Sequence, residues 1–123
     1  MINPKELRIG NLVLLGTSTN AVLGVDAVSS FNIHIGDDYY GEDEIAPIPI
    51  TPEWLERLGF FKYHRGDLGL GLGYFELEFS TEKGLLYLGC NEYEDALSHI
   101  KSVHQLQNLY FALTGEELTI RPE

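Results

Sequence analysis

Residues 102 to 115 read Ser-Val-His-Gln-Leu-Gln-Asn-Leu-Tyr-Phe-Ala-Leu-Thr-Gly, and this stretch decides how the rest of the chain is organised. Ser102 is a suitable N-cap, Gln105 completes a capping box, and Gly115 can adopt the left-handed conformation that ends a helix. Between these ends, apolar side chains recur at three- and four-residue spacing: Val103, Leu106, Leu109, Tyr110 and Leu113. The spacing predicts a helix over 103–114 whose apolar stripe covers a sheet.

The chain has 123 residues and a formal net charge of −11, from 8 basic and 19 acidic side chains. Its length and its 44% hydrophobic content predict a globular protein with a substantial core. Direct binding to nucleic acid usually requires a basic stripe, and no run of Lys or Arg occurs here, so it is not expected. An acidic surface instead favours solubility, attraction of a basic partner, or imitation of nucleic acid. Of these, solubility is the simplest expectation.

The cysteine content and the hydropathy of the chain indicate the cellular compartment in which the protein is expected. Cys90 is the only cysteine, which excludes an intrachain disulfide and favours a reducing cytosol. Residues 1–8 have no apolar signal core, and no apolar run approaches the roughly 20 residues that cross a bilayer. The sequence therefore predicts a cytoplasmic protein that does not enter a membrane, and leaves its oligomeric state open.

Residues 1–50 are predicted to form several short strands. The first lies at Leu12–Leu15, others at 21–26 and 31–35, and Asp37 to Gly41 is expected to form an acidic loop. The segment 45–50 returns as an edge strand, because its two prolines cannot donate hydrogen bonds to a neighbour. The opening, from Lys5 to Val13, resembles the first strand of an SH3-like β-barrel. Its predicted loops, however, are acidic where barrels that bind nucleic acid carry basic residues: Asp37, Asp38, Glu42, Asp43 and Glu44.

Residues 51–123 are predicted to form an α+β half that packs on the barrel as one cooperative unit. A helix over 52–58 is capped by Thr51, begins with a proline and stops at Gly59. Antiparallel strands follow at about 60–101, with 74–79 and 85–90 the clearest and 96–101 the last before the helix over 103–114. The glycine-rich segment from Gly66 to Gly73 is interpreted as a flexible hairpin connection, and 117–120 as a short edge.

Three blocks of the chain carry a family resemblance. They are Lys5 to Val13, Pro47 to Leu55 with the following Leu-Gly-Phe, and the motif His-Gln-Leu-Gln-Asn-Leu-Tyr-Phe-Ala-Leu-Thr-Gly-Glu-Glu-Leu at 104–118. Together they resemble a family of small uncharacterised proteins of gut bacteria, their prophages and mobile elements. The resemblance implies an accessory role rather than one in central metabolism.

No catalytic, cofactor-binding or metal site is predicted. The Gly66 to Gly73 segment lacks the spacing of a phosphate-binding loop, and the acidic residues from Asp37 to Glu44 lack the ligand ladder of a calcium loop. Cys90 paired with His99 or His104 would suit nucleophilic catalysis, but a cysteine that ends an apolar strand is more often structural.

A candidate interaction surface consists of five residues: Tyr39, Tyr40, His104, Asn108 and Phe111. The tyrosines lie in an acidic region, and the other three recur at i, i+4 and i+7, opposite the Leu106 stripe. Either Phe111 packs against the N-terminal barrel, so that the helix lies between two layers, or it anchors an external partner. In the first case Phe111→Ala is expected to cost about 3–5 kcal/mol.

The leading functional hypothesis is a non-enzymatic interaction or accessory module with a protein partner. Imitation of nucleic acid toward a nucleic-acid-binding protein is the first alternative, based on the net charge. The second is an enzyme acting on a small molecule in a cleft between the two halves, which requires convergent polar groups.

Overall fold

The computed structural model describes residue 2 and residues 6–15, 22–28, 33–36, 38–41, 44–63, 66–73, 75–90 and 93–121. Its N-terminal strands are β1 (Leu12–Leu15), β2 (Val22–Gly24), β3 (Ala27–Val28), β4 (Ile33–Ile35), β5 (Asp38–Tyr40) and β6 (Ile45–Ala46). Helix α1 (Pro52–Arg57) is followed by β7 (Phe61–Lys62), β8 (Leu68–Leu72), β9 (Phe75–Ser80), β10 (Leu85–Cys90), β11 (Tyr93–Ala96) and helix α2 (Val103–Thr114). The paired strands are antiparallel, which confirms an α+β fold with a C-terminal helix.

Helix α1 begins at the predicted residue and ends one residue before the predicted end at 58. Thr51 Oγ1 accepts a hydrogen bond from the backbone N–H of Trp54 at 3.2 Å, which caps the first turn. Gly59 follows the helix with a φ of 101°, and the N–H of Phe60 donates to the carbonyl of Leu55 at 2.9 Å. This Schellman arrangement places both Phe60 and Leu55 in the core, so the helix is fixed at both ends by local contacts.

Helix α2 has its predicted bounds and caps. The side-chain oxygen of Gln105 accepts hydrogen bonds from the backbone N–H groups of Ser102 at 3.1 Å and Lys101 at 2.8 Å. Gly115 has a φ of 76° and donates its N–H to the carbonyl of Phe111 at 2.8 Å. The buried residues of the helix are Val103, His104, Leu106 and Gln107. The buried surface is therefore concentrated in the first half of the helix.

The N-terminal strands form two three-stranded sheets, in the orders β2-β1-β6 and β3-β4-β5. Over the described residues the two sheets are not joined into a closed barrel, so the SH3-like barrel predicted from the sequence is not established. β6 lies at the edge of its sheet, as expected for a strand that continues into two prolines.

The C-terminal sheet has five strands in the order β11-β10-β9-β8-β7. The prediction that the Gly66 to Gly73 segment is a flexible connection is wrong, because β8 lies between β7 and β9 within this sheet. Its Leu-Gly-Leu-Gly-Leu sequence alternates with period two, so the leucines face the core and the glycines the opposite side. The alternation of leucine and glycine is typical of a strand, but the high glycine content favoured the interpretation as a loop.

Three other predicted segments differ in the structure. Residues 38–40 form strand β5, paired with β4, rather than a loop. The last strand before α2 is Tyr93–Ala96 rather than the predicted 96–101. Its four residues pair with the last four residues of β10, from Tyr87 to Cys90. Residues 117–120 form no strand, and the backbone N–H of Arg121 instead donates to the carbonyl of Arg57 at 2.8 Å. Strands β5 and β11 each pair with the strand that precedes them in the chain, whereas the contact between Arg121 and Arg57 joins residues far apart in sequence.

Buried side chains form two clusters, one in each half. The N-terminal cluster contains Ile2, Leu7, Val13, Val25, Ile33, Ile35 and Ile45. The C-terminal cluster contains buried residues of α1, α2 and the five-stranded sheet, including Leu55, Leu77 and Leu106. Strand β1 lies between them, since Val13 belongs to the first cluster while Leu12 and Leu14 pack against the second.

A search of the described residues finds no helix that is both long and apolar enough to span a membrane.

Candidate functional site

One face of the five-stranded sheet packs against both helices, and the other carries no described helix. The helix-facing rows of the sheet include Leu68, Leu77 and Leu86. On the opposite face, the strand register places these residues side by side: Phe61, Gly69, Gly71, Glu76, Glu78, Tyr87, Gly89 and Glu94. We call these residues the open face. The open face combines carboxylates and aromatic rings with glycines, which have no side chain and leave the backbone uncovered.

The side chain of Tyr63 lies over Gly69, where the open face has a notch because no side chain is present. A Cβ atom at Gly69 would come within 2.6 Å of the Tyr63 hydroxyl, so the absence of a side chain there makes room for the ring. The Tyr63 hydroxyl donates a hydrogen bond to Glu76 Oε1 at 2.6 Å. This bond raises the pKa of Tyr63 above its usual value of 10.0, with smaller contributions from burial and from the charges of Glu76 and Glu78.

A second aromatic ring extends the open face at its β7 edge. The ring of Phe61 is tilted at 60° to that of Tyr63, with centroids 6.0 Å apart. The Phe61 side chain is 70% exposed, so most of its apolar surface contacts water. Tyr63 and Phe61 therefore form an accessible aromatic pair beside the Glu76 carboxylate.

A depression of about 350 Å³ lies on the open face toward the β11 edge. Among the described residues, its lining contains three acidic side chains and one basic one: Asp67, Glu78, Ser80, Lys83, Tyr87 and Glu94. The carboxylate of Asp67 accepts hydrogen bonds from the backbone N–H of Thr81 at 3.1 Å and from its hydroxyl at 3.2 Å, which fixes its position. The arrangement is suited to binding a positively charged group next to a tyrosine ring.

The structure buries His104, the first residue of the predicted interaction surface. Its side chain lies in the first turn of α2, and the residue is only 2% exposed. The Nδ1 atom lies 3.1 Å from Ser102 Oγ, whereas Nε2 has no hydrogen-bond partner among the described residues and lies 3.6 Å from Glu6 Oε1. Burial lowers the pKa of His104 below 6.5, although the neighbouring Glu6 carboxylate opposes this shift.

Ser102, His104 and Glu6 are the residue types of a hydrolytic triad, but their arrangement is that of a helix cap. The serine is the N-cap of α2 and is buried. It contacts Nδ1 of the imidazole, and the carboxylate faces Nε2, which reverses the usual order. The group therefore joins the start of α2 to the N-terminal segment.

Asn108 and Phe111 contact the N-terminal segment through Arg8. Asn108 Oδ1 accepts a hydrogen bond from Arg8 Nη1 at 2.8 Å, and its Nδ2 donates to the carbonyl of Glu6 at 2.7 Å. The Arg8 guanidinium carbon lies 4.3 Å from the centre of the Phe111 ring, and Arg8 Nη2 also pairs with Glu117. Phe111 is 41% exposed, so it is partly covered by the N-terminal segment and partly open to solvent.

Sequence reasoning missed Gln107, the most completely bonded polar side chain of α2. Its Oε1 accepts from the backbone N–H of Leu12 at 2.8 Å and from Asn11 Nδ2 at 3.3 Å. Its Nε2 donates to the carbonyls of Gly10 at 3.2 Å and Leu118 at 3.0 Å. The available signal was its position four residues after Val103, which places it within the apolar stripe.

The two tyrosines of the predicted surface lie on β5. Tyr40 is partly buried against the N-terminal cluster, and the side chain of Tyr39 lies outside what the structure describes. Cys90 is a free, partly buried thiol at the end of β10. Among the described residues, no three His, Cys, Asp or Glu side chains are grouped as metal ligands, and the predicted acidic segment includes Asp37, Glu42 and Asp43, which lie outside that set.

Comparison of the chain with protein-family models, with curated proteins and with solved structures found no match.

Proposed function

We propose that the protein is a non-enzymatic interaction module whose open face binds a basic segment of a protein partner. The observation that carries the proposal is the concentration of carboxylates around accessible aromatic rings on the sheet face opposite the helices. Glu76, Glu78 and Glu94 belong to that face, and Asp67 lies with Glu78 and Glu94 in the lining of the depression. Arg and Lys side chains complement both features, since they pair with carboxylates and stack on aromatic faces.

The geometry of the open face supports an extended partner rather than a single small ligand. Gly71 and Gly89 have no side chains and are at least partly exposed, so a partner's backbone can approach the sheet closely beside Glu76. The surface runs from Phe61 at the β7 edge to Glu94 at the β11 edge. A segment with several basic residues would therefore contact more than one carboxylate at a time, which increases its affinity.

Imitation of nucleic acid is a second candidate that the same face supports. Glu76 and Glu78 lie two residues apart on one side of β9, a separation of about 7 Å along the strand. Successive phosphates of a nucleic-acid strand are separated by a comparable distance. Under this proposal the basic partner is a nucleic-acid-binding protein whose binding surface the open face occupies.

The biological setting is proposed from the sequence resemblance alone. An accessory protein of a prophage or mobile element of gut bacteria, acting in the cytoplasm, would meet both basic host proteins and nucleic-acid-binding proteins. An SH3-like origin of the N-terminal half is a further proposal, supported by the short antiparallel strands on either side of β1.

Binding of defined peptides tests the proposed function. A fluorescent peptide rich in Arg and Lys is expected to bind the protein, and a peptide in which Gln replaces every basic residue is not. The double variant Glu76→Gln/Glu94→Gln should weaken binding about tenfold or more, because it removes two carboxylates from the open face. Glu53→Gln/Glu116→Gln is the matched control, because both residues are exposed and lie outside the open face.

Equal binding of the two peptides, or equal losses in the two double variants, would overturn the proposal. Competition with duplex DNA distinguishes the simple interaction module from the nucleic-acid mimic. If duplex DNA and the protein compete for the same host protein, the mimic is supported, and if the host protein binds both at once, the simple interaction module is supported.

A further inference from the structure

A small cavity of about 240 Å³ lies at the N-terminal end of α2, away from the open face. It is lined by residues of three segments: Ile2, Glu6, Pro47, Pro49, Lys101, Ser102, His104 and Gln105. The volume is below the roughly 300–1,000 Å³ of sites for drug-sized ligands, so a matching ligand has few atoms. Its walls combine an apolar side, made by Ile2 and the two prolines, with groups of both charges.

The buried imidazole of His104 supplies the first polar element of the cavity. When Nδ1–H donates to Ser102 Oγ, the Nε2 atom presents a lone pair that no described residue satisfies. Glu6 Oε1 lies 3.6 Å from Nε2, and both residues line the cavity. With this tautomer, Nε2 and the Glu6 carboxylate are two acceptors side by side, and a positively charged donor satisfies both. The imidazole itself stays neutral near neutral pH, because burial lowers its pKa, so Nε2 keeps its lone pair.

Gln105 and Lys101, on the other hand, require a negatively charged acceptor. The side-chain oxygen of Gln105 is occupied by the backbone N–H groups of Ser102 and Lys101, which fixes the orientation of its amide. Its amide nitrogen has no acceptor among the described residues and is free to donate. Lys101 lines the same cavity at the N-terminal end of α2, where the helix dipole favours an anion. These groups suit a carboxylate.

We propose that this cavity binds a free α-amino acid with a small aliphatic side chain. The ligand's ammonium group lies between Glu6 and His104, its carboxylate contacts Lys101 and Gln105, and its side chain lies against Ile2 and the prolines. The ligand satisfies the unpartnered Nε2 atom and balances both charges. This inference does not depend on the proposed function, since the cavity and the open face have no residue in common.

Calorimetry and thermal unfolding with alanine, valine and leucine test the proposal on the full chain. At least one of the three is expected to bind with one-to-one stoichiometry and to raise the melting temperature by a few degrees when present in excess over its dissociation constant. For valine, isobutylamine lacks the carboxylate and isovalerate lacks the ammonium group. Each is expected to bind about tenfold or more weakly than valine.

Two variants assign the binding to the cavity. Lys101→Met and Glu6→Gln change exposed side chains, and each is expected to weaken amino-acid binding about tenfold or more while the melting temperature without ligand stays close to that of the parent protein. Lys62→Met and Glu53→Gln are the matched controls, because both residues are exposed and lie outside the cavity. The open-face variant Glu76→Gln/Glu94→Gln should also bind as the parent does.

The proposal is overturned if none of the three amino acids binds, if isobutylamine or isovalerate binds as tightly as valine, or if the cavity variants and their controls lose affinity equally. Binding should also weaken as the pH falls through the folded pKa of His104, which lies below 6.5, because protonation of His104 removes the acceptor. A pH-independent affinity would contradict the assigned position of the ammonium group.

Discussion

Gln107 Oε1 accepts a hydrogen bond from the backbone N–H of Leu12 at 2.8 Å, so a side chain of the C-terminal helix completes the hydrogen bonding of the first N-terminal strand. The same amide donates to the carbonyls of Gly10 and Leu118. One side chain of α2 thus contacts both the segment before β1 and the C-terminal tail. This contact makes the two halves dependent on each other in a way that an apolar contact would not, since buried polar groups must be paired.

The variant Gln107→Leu is expected to lower the free energy of unfolding by about 2–4 kcal/mol, because it removes the hydrogen bonds to the partly buried N–H of Leu12, the carbonyl of Gly10 and the buried carbonyl of Leu118. Denaturant melts followed by the fluorescence of Trp54 and by far-ultraviolet circular dichroism measure the change. Both signals should shift together if the halves unfold as one unit. A shift in only one signal, or an unchanged midpoint, would contradict this role of Gln107.

Phe111→Ala is expected to cost about 1–2 kcal/mol, less than the 3–5 kcal/mol expected for a fully buried ring, because Phe111 is partly exposed and its main contact is the Arg8 guanidinium. Phe111→Leu should recover part of the apolar contact but not the cation–π interaction. Leu113→Ala is a suitable control, since Leu113 is also exposed near the end of α2. A cost above 3 kcal/mol would instead indicate a fully buried ring, and no cost would exclude a structural contact.

Gly69→Ala is expected to displace the Tyr63 side chain, because the new methyl group would lie 2.6 Å from the Tyr63 hydroxyl. The hydrogen bond to Glu76 would then be lost, and the pKa of Tyr63 should fall toward its usual value. Ultraviolet titration of the tyrosines, compared with Tyr63→Phe, detects the change. Gly71→Ala is the matched control on the same strand and face, since a Cβ atom there meets nothing within 4 Å. An identical titration of the two alanine variants would contradict the packing.

Burial of His104 predicts a loss of stability in mild acid. Its pKa in the folded protein is lower than the 6.5 of an exposed histidine, so the unfolded chain binds the proton more tightly. The contribution to stability is fully present above pH 6.5 and is lost as the pH falls through the folded pKa. Urea melts of the parent protein and of His104→Gln should therefore converge on acidification. Parallel curves for the parent and His104→Gln would contradict the shift.

Local sequence signals determined both helices. Thr51 and Gly59 delimit α1, and Ser102, Gln105 and Gly115 delimit α2, because capping depends on side chains within a few residues of the helix end. The alternation of apolar and acidic residues likewise predicted β9, whose Leu77 and Phe79 are buried. These features are visible in the sequence because their physical causes are short-range.

The tertiary structure alone decided which faces of these elements are covered. The Leu68–Leu72 segment became an interior strand because β7 and β9 pair with it, and its glycines then created the notch that Tyr63 occupies. His104 and Asn108, predicted at a surface, contact the N-terminal segment about a hundred residues away in sequence. The burial and the shifted pKa of His104 depend on such long-range contacts, and the composition of the open face depends on the register of consecutive strands; no local pattern in one segment specifies either.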